Sequence, residues 1–475
     1  MGRPIIAGFH PDPSVCRVGE DYYLACSSFE YFPGVPLFHS RDLLTWQQIG
    51  NVLDRPSQLP LPPETGASGG IYAPTLRHHD GRFWMITTNT SGGGNFLVTA
   101  EKPEGPWSDP VWIDLPGIDP DLAWGEDGSC WCTVSGTHTA RIDPETGQVL
   151  DGPFPAWTGT GLQYPEAPHL YRIGGWWYLM IAEGGTERGH TVAMARARTP
   201  LGPYEAAPHN PLVTHRSTNR PIQSTGHADL VEAPDGTWWM VLLATRPRGN
   251  TPAFHVLGRE TFLAPVTWID GWPHVGEVGT PQAPAPADVR DDFDGESLAP
   301  QWISPRSRPD GSWSLTERPG RLTLHATGST LDEPGSTFLG RRQQHHAARV
   351  STRLDPGAAR AGISVRLDEA HHYDLEIDDG RARVVARIGP LRSVVAEQPV
   401  APGPVELTVE FRTPEGFPGP DLIAFRVGDG PDLAALDGRY LSTEVATGFT
   451  GRVVGLYVTR GTAVFDSYVS SARPG

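Results

Sequence analysis

One unit constrains this chain more than any other, because it occurs five times: a turn with glycine or an acid, an aromatic pair, then an apolar strand. It reads "GEDYYLACSS" (19–28), "DGRFWMITTN" (80–89), "EDGSCWCTVSG" (126–136), "GGWWYLMIAEGG" (174–185) and "DGTWWMVLLAT" (235–245). Each copy has the pattern of a hairpin turn feeding a buried strand. The strand before each turn repeats as well: "HPDPSVCRV", "YAPTLRHH", "DPDLAWGE", "EAPHLYRI" and "HADLVEAP". Five hairpins spaced by roughly 45–60 residues predict an all-β, five-bladed propeller, with interblade loops taking up the excess over common blade repeats.

The register of the repeat places chemistry. The first strand of a propeller blade lines the central axis. Superposing the copies on Pro13, Pro74, Pro120, Pro168 and Ala228 puts Asp12, Ala73, Asp119, Ala167 and His227 just before that position. Glu166 stands one residue further back, level with Tyr72. Asp12, Asp119, Glu166 and His227 therefore come from four blades and converge on one axial pocket. A single acid at a strand start is usually just a turn residue. Three in register with a histidine need another reason, because buried acids are costly and cluster at functional sites. Asp12 also stands between Pro11 and Pro13, which predicts a stiff, extended backbone there.

Composition narrows the chemistry. Lys and Arg number 38 against 55 Asp and Glu, a net charge of −17 that argues against nucleic-acid and anionic-membrane partners. The fifteen tryptophans suit flat-faced ligands such as sugars, although Trp46, Trp107, Trp176, Trp177, Trp238 and Trp239 lie on repeating strands and read mainly as packing between blades. Four cysteines are too few for a disulfide scaffold, and Cys130-Trp-Cys132 has the wrong spacing for a redox or zinc pair, so all four read as buried thiols. No stretch approaches the ~20 apolar residues of a membrane span. The N-terminus lacks a signal-peptide pattern, so the expectation is a cytoplasmic protein. Three pocket carboxylates could bind a metal or hydrolyse a glycoside. No compact calcium loop is evident, and acids on different blades can span the about 6.5–9.5 Å of an inverting glycosidase. The sugar reading leads.

The blocks "GFHPDPSVCRVGEDYYLACSSFEYFPGVPLFHSRDLLTW", "GIYAPTLRHHDGRFW", "GIDPDLAW", "EAPHLYRIGGWWYL", "GHADLVEAPDGTWW" and "LGRETFLAPVTWIDGWP" resemble, in order, those of glycoside hydrolase family 43. The branch resembled is the β-xylosidases with a C-terminal β-sandwich. The resemblance implies an inverting enzyme with Asp12 as general base, Glu166 as general acid and Asp119 as the acid that tunes and orients. It further implies that Phe29 and Tyr72 wall the terminal-sugar subsite and that Arg259 binds sugar hydroxyls. His227 would be the axial histidine, near a water or calcium. Tyr72 stands where many relatives carry tryptophan, which leaves the preferred sugar open.

Residues 277–293 are rich in Pro and Ala and read as a linker or wrap-around segment. Beyond them, "ARVSTRL", "AGISVRL", "VELTVEF" and "VVGLYV" alternate apolar and polar residues, the pattern of a β-sandwich. It resembles the concanavalin-like domain of the same xylosidases. The expected division is 1–280 propeller, 281–290 linker and 291–475 sandwich closing the active site. Phe449 is the candidate for an aromatic set in the pocket mouth; the alternative is a buried sandwich residue. The expected activity is exo-acting release of terminal β-D-xylose from short xylo-oligosaccharides, with α-L-arabinofuranosidase or dual activity as the alternative. No cofactor is expected to be required, though calcium is allowed for, and a homo-oligomer is compatible. A non-catalytic sugar-binding propeller and a metal-centred hydrolase are the competing classes.

Overall fold

The computed structural model describes residues 2–473. Five antiparallel sheets, four of four strands and one of five, occupy the N-terminal part, each starting with one of the predicted inner strands: Ser14–Val18, Thr75–His79, Asp121–Trp124, Glu166–Ile173 and Gln223–Glu232. The fourth sheet carries the extra strand Val213–Thr214. Neighbouring inner strands touch in sequence, and Ser14–Val18 packs on both Thr75–His79 and Gln223–Glu232, so the sheets close into a ring. The seam is fastened by the N-terminus. Arg3 bridges Thr280, and Ile6 bridges Thr261 on the third strand of the last sheet. Radial repetition of small sheets leaves only short, protected edges.

Two further sheets, of eight and six strands, form the C-terminal sandwich. Along Ala348–Asp355, burial alternates as the sequence pattern predicts. Its core includes Trp302, Leu354, Ile363, Leu375, Phe411, Leu456 and Phe465. Val289–Asp291 already pairs with Tyr468–Ser470, so the last two residues of the expected linker belong to the sandwich sheet. The reason is that Val289 can still add to the register of that sheet, whereas the proline-rich residues before it cannot.

The halves meet over an apolar cluster, Phe9, Phe29 and Tyr31 against Ile303, Phe338 and Val453, flanked by polar links. Tyr31–Phe32 of the propeller pairs with Ser304–Pro305. Glu30, fully buried, meets Arg366 at 2.7 Å and Arg306 at 3.1 Å, and both arginines also bond Glu369 at 2.8 Å. A second link joins His255 Nδ1 to Glu444 Oε1 at 2.6 Å. All four cysteines are free and buried, as expected. No helix among the described residues is long and apolar enough to cross a membrane.

Candidate active site

Four of the five register positions are left-handed: Asp12 (φ 55°), Asp119 (54°), Ala167 (52°) and His227 (46°). The proline argument predicted extended backbone at Asp12, and it fails there. Strand-pairing shifts between Glu166 and His169, and between Gly226 and Ala228, mark bulges at the equivalent points of the later sheets. A bulge re-aims a side chain. A left-handed non-glycine residue is strained and persists only when its surroundings hold it. Around Asp12 they do, since His10 N–H donates to Arg259 O and Ser27 N–H donates to Pro11 O.

These turns bring the predicted acids into one cluster. Asp12 is 4% exposed. Its Oδ1 meets Arg259 Nη1 at 3.1 Å and His227 Nδ1 at 3.3 Å, and Ser27 Oγ donates to Oδ2. Burial pushes Asp12 up, but Arg259, His227 and Ser27 outweigh it and hold the carboxyl below its ordinary range. Asp119 accepts the Ala167 N–H at 3.1 Å. Burial, followed by repulsion from Glu166 and Asp12, drives it well above the usual value. Glu166 is pushed up to about 7, mainly by burial, with Asp12 and Glu187 repelling its charge and Arg259 opposing them. One cation thus faces three carboxylates, and a proton stays on the Asp119–Glu166 pair near neutral pH. His227 is pulled down to about 4 and His190 to about 3, both chiefly by burial, so both are neutral at pH 7.

The predicted aromatics flank this cluster. Phe29 is buried and left-handed (φ 50°), paired to Ile71 through both backbone groups. Its ring lies 5.3 Å from Tyr72 and 6.0 Å from Phe449. Phe449 comes from the sandwich, and its N–H donates to Ser68 Oγ of the propeller at 2.8 Å. The approach needs Gly448, where a Cβ would lie 2.4 Å from that oxygen. Arg259 sits beneath both rings, 5.7 Å from Phe29 and 5.4 Å from Phe449, with its Nε unpartnered. Arg259 thus joins Asp12 to the ring group of Phe29, Tyr72 and Phe449, and Asp119 and Glu166 stand close enough for the Asp12 charge to repel theirs.

Sequence reasoning missed the layer beneath. Two residues beyond each register position stand Ser14, Thr75, Asp121, His169 and Asp229. Arg77 reaches Asp229 at 2.7 Å and Asp121 at 2.9 Å, with His169 Nδ1 3.0 Å from its Nη2. Tyr171 Oη and Ser14 Oγ also donate to Asp229. The five aligned polar residues were the available signal. The Glu30 cluster left a fainter one, an acid between aromatics in "SSFEYF". Calcium favours a set of oxygen ligands, whereas His227 and His169 offer ring nitrogens. Among the described residues no group of three or more His, Cys, Asp or Glu is placed to hold a metal.

An acid held protonated, an ionised carboxylate fixed by an arginine, and aromatic walls are the parts needed for acid–base cleavage of a glycosidic bond. The comparisons agree. A model described as "Glycosyl hydrolases family 43" matches residues 1–273, and one described as "Beta xylosidase C-terminal Concanavalin A-like domain" matches 290–469. A non-reducing end α-L-arabinofuranosidase of Bacteroides ovatus is 41% identical over 96% of this chain and 91% of its own length. A xylosidase/arabinosidase of Butyrivibrio fibrisolvens is 35% identical over 98% and 97%. The solved xylan β-1,4-xylosidase of Bacillus halodurans superposes with a TM-score of 0.88 at 32% identity, covering 99% of this chain and 100% of the other.

Proposed function

The chain belongs to family 43 of the glycosyl hydrolases, and from that premise we propose that it is an exo-acting, inverting enzyme that removes terminal β-D-xylose from short xylo-oligosaccharides. Its five sheets are read as five blades, with residues 1–280 catalytic and the sandwich closing the pocket. Asp12, ionised, activates a water for attack on the anomeric carbon. Glu166, protonated, gives its proton to the departing oxygen. Asp119 shares that proton's environment and orients the sugar, while Arg259 steadies Asp12 and offers its remaining donors to hydroxyls. Phe29 and Tyr72 wall the terminal sugar.

The observation that carries the exo reading is Phe449, set by the sandwich against Phe29, Tyr72 and Arg259. A pocket whose wall is completed by a second domain favours a chain end over the middle of a polymer. α-L-Arabinofuranoside cleavage is the second reading, favoured by the names of the Bacteroides and Butyrivibrio relatives. Turnover of 4-nitrophenyl β-D-xylopyranoside against 4-nitrophenyl α-L-arabinofuranoside separates the two. Proton NMR of the first-formed sugar tests inversion, and release of the substrate's own anomer would refute it. Activity on neither glycoside would return the sugar-binding propeller to the front.

A further inference from the structure

Beside the acid, the rim of the pocket carries aromatic and polar groups that take no part in the proposed chemistry. Strand Glu166–Ile173 starts, and Trp176–Glu183 ends, at the same end of the fourth sheet, where Glu166 pairs with Ala182. The segments leading into the first and out of the second, 163–165 and 184–189, therefore meet next to Glu166. They are bound together: Gly184 N–H donates to Gln163 O at 2.7 Å, and Gln163 Nε2 donates to Gly184 O at 3.2 Å. The neck of the second segment closes glycine on glycine, since a Cβ on Gly184 or Gly189 would lie 2.3 Å from the other's carbonyl oxygen. Thr186 Oγ1 in this segment accepts from Arg259 Nη1 at 3.0 Å, which ties the rim to the carboxylate cluster.

Tyr164 is the anomaly. At 64% it is the most exposed phenylalanine, tyrosine or tryptophan among the described residues, and it belongs to none of the apolar clusters. Its backbone is left-handed (φ 53°), a strained state for a bulky residue. Both neighbours are held, Gln163 by Gly184 and Pro165 by Gly136, whose N–H donates to Pro165 O at 2.8 Å. Strain retained to hold out a ring that adds nothing to the core calls for a function. Glu187, also exposed, has its carboxylate over Gly185. A Cβ there would lie 2.9 and 3.0 Å from its two oxygens and 3.0 Å from Gln163 Nε2. The adjacent cation is engaged elsewhere: Arg188 Nη2 donates to Pro252 O and Ala253 O and stands 3.9 Å from Glu444.

We infer that Gln163, Tyr164 and Glu187 form the site for the departing group, and that they select a neutral sugar there over an anionic one. The inference rests on the reading of Glu166 as general acid. An acid that protonates the departing oxygen stands on the departing group's side of the bond. The rim beyond Glu166 thus meets that group and not the terminal sugar. A pyranose ring presents an apolar face to Tyr164 and hydroxyls to Gln163 and Glu187. A carboxylate-bearing group meets the charge of Glu187 instead, with no cation beside it to compensate.

The test uses glycosides of one terminal sugar, β-D-xylose or α-L-arabinofuranose, whichever the wild type cleaves faster. The departing groups compared are methanol, D-xylose, 3-carbamoylphenol and 3-carboxyphenol. Tyr164→Asn removes the ring and tolerates the left-handed backbone. It should lower the kcat/KM ratio of the D-xylose to the methyl glycoside by about three- to tenfold, the scale of an aromatic contact. The wild type should prefer the carbamoylphenyl to the carboxyphenyl glycoside. Glu187→Gln should narrow that preference about threefold, as removal of one exposed charge about 6 Å away requires. Equal loss on the methyl and D-xylose glycosides would mean that Tyr164 acts only through the fold, and overturns the inference. So does a preference unchanged in Glu187→Gln. Turnover of none of the four by the wild type overturns the functional reading itself, and this inference with it.

Discussion

The same five inner strands build two polar layers along the axis, two residues apart, and the layers have opposite electrostatics. In the lower one, Arg77 sits between Asp121 and Asp229, with hydroxyl donors completing the set. There burial would raise Asp229, but Arg77 holds it far below the usual range. In the upper one, Arg259 alone answers three carboxylates, and Asp119 and Glu166 are pushed up. Equal burial thus gives a structural plug where one arginine sits between two carboxylates and a reactive site where one faces three. Reactivity here is a surplus of negative charge that the fold holds in place.

The comparison can be broken from either side. Asp12→Asn should lower kcat by roughly 10²–10⁴-fold, the scale of a lost general base. Steady-state kinetics would show it, and activated leaving groups should not restore it, whereas they should restore Glu166→Ala. Equal rescue of both would reverse the roles. Arg77→Met should cost about 3–5 kcal/mol of stability in urea unfolding, because it strands two buried carboxylates. Adding Asp229→Asn should recover part of that loss. If Arg77→Met unfolds like the wild type, Arg77 does not hold the lower layer together.

Asp119→Asn should act in the other direction, raising stability at pH 7 by about 1 kcal/mol while lowering kcat, since it relieves a repulsion kept for function. The pH dependence sharpens the contrast. A carboxyl raised on folding binds its proton more tightly in the native state, so its share of stability falls as pH rises between the two values. For Glu166 that window runs from 4.5 to about 7. The melting temperature of Glu166→Gln should therefore gain on the wild type across it, and kcat/KM of the wild type should fall above about pH 7. Asp229, lowered on folding, contributes above its unfolded value of 3.8 and loses that contribution as acid is added. Last and smallest, Phe449→Ala should narrow the preference for short over long substrates by about tenfold, read as a change in KM with chain length.

Much of this was legible in the chain. The five-fold repeat implied the ring of sheets, and its register aligned Asp12, Asp119, Glu166 and His227, because period-2 strands and turn residues are local signals. The alignment could also have exposed Ser14, Thr75, Asp121, His169 and Asp229, had the same register been read two residues further. The left-handed backbone at Asp12 could not be read so. Local proline preference pointed to extended geometry, and hydrogen bonds with residues 15 and 247 positions from Asp12 overrode it.

By itself the sequence determined which strands exist, which acids face the axis and which family the motifs resemble, since each depends on neighbours in the chain. Only the tertiary structure decided which of those acids is neutralised. Arg77, Arg259 and Arg342 are equivalent as letters. Their environments differ because the strands and the second domain bring two carboxylates to the first, three to the neighbourhood of the second and none to the third. Charge balance is a property of distances between remote segments, and those are set when the ring closes and the sandwich docks.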